Sequence, residues 1–181
     1  MGLAAFGVLA LSRDPSFTAS STPGIEAAAT PAPDLPDISN MTPRERFDRL
    51  FNRIMRSAES GDESSAGTFA PMALQAYGML DTIDADARYH AALIMLHTGD
   101  VDGAQALADT ISKLQPGHLF GTVIRGTIAR FQQNPKALDA AYAEYLKNYD
   151  RESAAARQEY GEHPRALKDF LEAARAAKPK G

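Results

Sequence analysis

The sequence predicts an all-α domain of short antiparallel helices over residues 41–177, with a disordered arm in front of it. Three observations lead there. From residue 41 onward, apolar residues recur at helical spacing almost without a break. No segment alternates with the period of two that a half-buried strand requires. Capping and turn residues stand between the apolar runs, close enough together to join neighbouring helices as hairpins.

The first 40 residues are different, since Ala, Pro, Ser and Thr supply 21 of them. Residues 1–12 hold the apolar run Leu3 to Leu11, with no basic residue ahead of it and no small-x-small site near it. This is expected to be the end of a truncated membrane or signal anchor rather than a signal peptide; the alternative is a short greasy tail without function. Residues 13–40, with Thr30-Pro31-Ala32-Pro33-Asp34-Leu35-Pro36, have too little apolar surface to offset their ordering entropy and are expected to be a linker. As a flexible coil its 28 residues would reach ~30 Å. Residues 178–181 form a short tail.

The helices follow in order. Thr42-Pro43-Arg44-Glu45 is a capping box with Pro at the first helical position. Phe47, Leu50, Phe51, Ile54, Met55 and Ala58 then share one face, and Gly61 ends the helix. Residues 62–68 are expected to be a loop, with Pro71 opening a second helix to about Thr82. Asp84 caps a third, Ala85 to His97, and Thr98-Gly99-Asp100 turns the chain into a fourth, Val101 to Leu114. Gln115-Pro116-Gly117 precedes a fifth, about His118 to Gln132. Asn134-Pro135 opens a sixth, carried by Leu138, Ala141, Tyr142, Tyr145, Leu146 and Tyr149. The expected hairpins are 43–82, 84–115, 117–149 and a shorter 151–177, in which Arg151–Tyr160 makes a poor helix.

Ala92, Ala104 and Pro116 lie twelve residues apart, with Gly99-Asp100 between the first two. Residues 85–118 thus resemble a tetratricopeptide repeat of 34 residues, in which small side chains sit where paired helices cross closely. Adding 34 to Ala92 reaches Gly126, and adding it to Ala108 reaches Tyr142. Leu138 and Asp150 depart from the pattern. Pro71-Met72-Ala73-Leu74, Pro135-Lys136-Ala137-Leu138 and Pro164-Arg165-Ala166-Leu167 repeat a Pro-x-Ala-Leu opening of a second helix, independently of the family pattern. The resemblance covers residues 43–177 and implies a right-handed array of helical hairpins, an α-solenoid with atypical end repeats.

Composition restricts the function. Without cysteine there is no disulfide framework, thiolate zinc site or cysteine nucleophile, although exported bacterial-type proteins also lack them. A formal charge of −4 argues against nucleic-acid binding. No phosphate loop or nucleophile elbow is present. Gly99-Asp100-Val101-Asp102-Gly103 reads as a turn and N-cap, not a calcium loop. His90 and His97 stand two turns apart, about 10 Å, too far to share one ion. No cofactor, metal or catalytic residue is expected. Arg44, Arg46, Arg49, Arg53 and Arg56 read as the solvent face of the first helix, or else as a surface for anionic lipid.

In tetratricopeptide arrays the first helix of each hairpin lines a concave groove. The resemblance therefore implies a partner-binding surface at Asp86, Tyr89, Leu93, Leu96, His97, Phe120, Val123, Thr127, Arg130 and Phe131. Members that hold a chaperone's C-terminal carboxylate use Lys and Asn where Tyr89 and Leu93 stand, so an apolar peptide or helix suits this groove better. The competing expectation is that Ala166, Leu167, Phe170, Leu171 and Ala174 of the last helix cover it. The expected function is a non-enzymatic protein-binding or scaffolding module. It would be membrane-associated or exported if residues 1–12 insert in a membrane, and cytoplasmic if they do not. The alternatives are an accessory subunit of a membrane complex and, remotely, a small hydrolase using His97 and Arg130.

Overall fold

Thr42 caps the first helix as the sequence predicts. Its hydroxyl accepts from Glu45 N while the Glu45 carboxylate accepts from Thr42 N at 2.9 Å, so two otherwise orphaned amides are satisfied together. This geometry comes from a computed structural model, which describes residues 40–177. The expectations for residues 1–12, for the linker up to residue 39 and for the tail 178–181 lie outside the described residues. Eight helices and no strand make up the described residues. None of these helices is long and apolar enough to cross a membrane.

Helix α1 (Pro43–Ser60) ends at Gly61, whose φ of 78° lies in the left-handed region that closes helices without a Cβ penalty. Helix α2 (Glu63–Gly78) starts at once, capped by Asp62 through Ser65 N at 3.0 Å. The expected loop over 62–68 is therefore helix, and Pro71 lies inside α2 rather than opening it. The reason is packing: Ala66, Phe69 and Ala70 are buried against α1, on the turns before the proline. Pro71 and Gly67 both face solvent, so water can serve the Gly67 carbonyl that receives no amide from Pro71.

Helices α3 (Ala85–His97) and α4 (Val101–Leu114) match the predicted bounds, because Asp84 and Asp100 cap them through Ala87 N and Gly103 N. Helix α5 (Leu119–Phe131) takes His118 as its cap, and α6 (Pro135–Ala154) takes Asn134. Helix α6 runs on through Arg151 to Ala154, so the predicted last hairpin, with a first helix from Arg151, does not form. In its place a five-residue α7 (Gln158–Glu162) leads into α8 (Pro164–Ala177). Glu152 is the reason: it lies on the buried face of α6, where polar partners from α7 meet it.

Helices pack as the pairs α1–α2, α3–α4 and α5–α6, and α1, α3 and α5 also touch in succession. Two apolar cores result. Phe47, Leu50, Ile54 and Phe69 meet Ala87, Ala91 and Ile94 of α3 in one. Tyr89, Ala92 and Leu96, on another side of α3, join α4–α8 in the other. Helix α3 is buried on both flanks, which explains its many alanines. Phe47, Leu50, Ile54, Ala92, Ala104 and Tyr142 are buried, while Leu107 and Leu146 are half-buried.

Candidate functional site

The face shared by α3 and α5 carries most of the predicted groove, and its two ends differ. At the N-terminal end, Asp86, Tyr89, Phe120 and Val123 are buried. Tyr89 and Phe120 stack at 4.3 Å, and the His163 ring meets both edge-on, at 5.2 and 5.4 Å. Tyr160 adds a fourth ring 5.5 Å from Phe120. The turn between α7 and α8 thus covers this half, and a ligand would have to displace it to reach those residues. Burial pushes the Tyr89 phenol up to about 12, so it stays neutral.

The C-terminal end is more open. Leu93 and Thr127 are half-buried, and Leu96 is buried. His97 lies 3.2 Å from Glu63 of α2. Arg130 reaches the Tyr142 hydroxyl at 2.8 Å and lies over the Phe170 ring, and Phe131 is 57% exposed. The arginines of α1 have different partners. Arg44 is bonded to three aspartates, Arg53 covers the Phe69 ring, and Arg56 donates to Asn52 O.

A buried polar clasp holds the covering segment. The Tyr160 hydroxyl accepts from Leu119 N at 2.9 Å, satisfying the first amide of α5, and donates to Glu152 at 3.0 Å. Glu152 also accepts from Arg157 Nε at 3.0 Å and from Arg151. Burial alone would raise the Glu152 carboxyl, yet its bonds to Arg157 and Tyr160 outweigh that and hold it below the usual range. His118 pairs with Glu159 at 3.1 Å, and there burial prevails and lowers the imidazole. The Tyr145 hydroxyl donates to Leu167 O at 2.8 Å, tying α8 to α6.

A second polar group joins α1, α3 and the α7–α8 turn. Asp84 and Asp86 stand at the start of α3, with His90 one turn after Asp86 and His163 arriving from across the fold. Arg44 binds Asp48 with Nε, Asp84 with Nη1 at 2.8 Å and Asp86 Oδ2 with Nη2 at 2.6 Å. Asp86 Oδ1 faces His163 Nε2 at 2.8 Å, and that nitrogen is 3.0 Å from His90 Nε2. The His90 ring stacks on Phe51 at 3.7 Å, and burial lowers its pKa to about 4, which leaves it a neutral imidazole with a free lone pair. Burial would raise Asp86, but the His163 hydrogen bond and the Arg44 guanidinium bring it below the ordinary value. Asp48 is raised by burial in spite of Arg44.

Asp86 also lines a cleft of about 340 Å³, where Asp84, Glu159 and Glu162 add three more carboxylates and Arg44 a guanidinium. Of this cluster, sequence reasoning placed only Asp86 in a binding surface, read Asp84 as a helix cap and Arg44 as a surface charge, and compared His90 only with His97. The spacing of Asp86 and His90, four residues on one helix, was the available signal. No family model matches the chain, and no curated protein matches it.

Proposed function

We propose that the chain is a non-enzymatic protein-binding module of tetratricopeptide type, in which the last helices occupy one half of the first-helix face and a partner meets the other half. The observation that carries the reading is the pairing of α1–α2, α3–α4 and α5–α6 with α1, α3 and α5 in succession, as stacked helical hairpins require. A 34-residue register supports it, since Leu93 and His97 correspond to Thr127 and Phe131. The right-handed sense of the array belongs to this proposal, as does tethering near a membrane through residues 1–12. The covered half is itself a precedent within the chain, an aromatic patch on α3 and α5 that accepts a peptide segment. Phe131 then offers an exposed aromatic anchor with Arg130 beside it for a carboxylate or helix end, so the partner is an apolar helix or peptide.

Phe131 is exposed enough to be removed without harm to the core. Peptides selected from a random display library on the full chain should be apolar and helical. Phe131→Ala should weaken them by about thirtyfold, the effect of losing about 2 kcal/mol at an aromatic anchor, with the melting temperature unchanged. A selection that yields no binders, or binders indifferent to Phe131→Ala, would remove the proposal.

A further inference from the structure

We infer that Asp86, His90 and His163 form a binding site for one divalent transition-metal cation, zinc first among them. Their donor atoms converge. His163 Nε2 is 2.8 Å from Asp86 Oδ1, the two imidazole Nε2 atoms are 3.0 Å apart, and His90 Nε2 is 3.6 Å from the same Oδ1. Zinc holds nitrogen at about 2.0–2.1 Å and carboxylate oxygen at about 2.0–2.2 Å, so the edge of a tetrahedral shell is about 3.3 Å. The observed separations bracket that edge. A circle through the three atoms has a radius of about 1.9 Å, slightly less than a zinc–ligand bond. An ion just out of their plane can therefore bond all three at once.

Hydrogen bonding alone serves this triangle poorly. Two imidazole nitrogens face each other, and only one proton fits between them. When His163 gives its Nε2–H to Asp86, His90 Nε2 keeps a lone pair aimed into the group. His90 Nδ1 then carries the proton, and that buried nitrogen has no hydrogen-bond partner among the described residues. Asp48 Oδ1 lies 3.9 Å from it, placed as the outer carboxylate that steadies a ligating histidine. Arg44 occupies Asp86 Oδ2 and leaves Oδ1 as a single donor. Asp48, Asp84 and Asp86 against one guanidinium leave two negative charges, which a divalent cation neutralises. Two nitrogens and one oxygen suit zinc, and three protein ligands leave a fourth position for water.

The ion would join α3 to the α7–α8 turn, whether or not a partner binds near Phe131. The full chain, freed of metal with a chelator that is then removed, is titrated with zinc chloride against a chromogenic zinc indicator. In a separate titration cobalt(II) reports coordination through its visible spectrum. One zinc per chain, a four-coordinate cobalt spectrum and a raised melting temperature are expected. His163→Ala and Asp86→Asn should each weaken zinc binding by about a hundredfold or more, with circular dichroism confirming that helix is retained. If either variant fails to fold, the other decides. Failure of the wild-type chain to take zinc from the indicator would overturn the inference, as would uptake that the folded variants leave unchanged.

Discussion

Phe170→Ala is expected to destabilise the chain by about 3–5 kcal/mol, the range for truncating a buried phenylalanine. Its ring is 3% exposed and lies 5.2 Å from Tyr142 and 4.8 Å from Tyr145, measured between ring centroids. Gly126 makes the position particular. A Cβ there would lie 2.5 Å from the Phe170 ring, so α5 has no side chain with which to fill the space that the alanine would leave. Arg130 would also lose the ring that its guanidinium covers. Urea unfolding followed by circular dichroism measures the cost. A loss below about 1 kcal/mol, typical of a surface substitution, would mean that α8 is not part of the core.

Glu152→Ala should cost about 2–3 kcal/mol, less than a fully enclosed ion pair because Arg157 and Arg151 can turn to water. The Tyr160 hydroxyl would lose its acceptor in a buried site. Acid should show the same dependence in two stages, measured with a chelator present. His118 and His90 both have folded pKa values below the ordinary one, so their contributions are whole above about pH 6.5 and are lost as the pH falls through the folded values, that of His90 at about 4. Glu152 is also depressed, so its contribution is whole above about pH 4.5 and is lost lower still. Asp86, Glu45 and Asp62 are depressed as well and share that lower stage. Glu152→Gln should shrink the lower stage and leave the upper one. Stability that stays flat from pH 7 to pH 4 would contradict the histidine assignment, and stability that falls no further below about pH 4.5 would contradict that of Glu152.

Local chemistry made much of the fold legible. Thr42, Asp84, Asp100 and Asn134 cap helices where the sequence places them, because a cap is satisfied within three residues. Pro71 misled because its cost as an interior proline is set by what surrounds it, here a solvent-facing turn and three buried residues just before it. The end of α6 misled for a related reason. Arg151 and Glu152 look like surface charges until Tyr160 and Arg157 close over Glu152. The residues expected on the first-helix face lie on α3 and α5, but their spacing does not tell which half of that face the chain itself covers. His163 sits on a turn, with no periodicity to tie it to α3, so its meeting with His90 depends on how α7 and α8 return across the fold.

Native-state hydrogen exchange of the full chain asks directly whether the last helices belong to the first-helix face. Amides of Tyr89–Ile94 in α3, Phe120–Ile128 in α5 and Leu167–Ala174 in α8 are expected to share one slow exchange class, because a single core joins them. Exchange of Leu167–Ala174 at nearly unprotected rates, while α3 and α5 stay protected, would show that α8 is not seated and that the whole face is open to a partner.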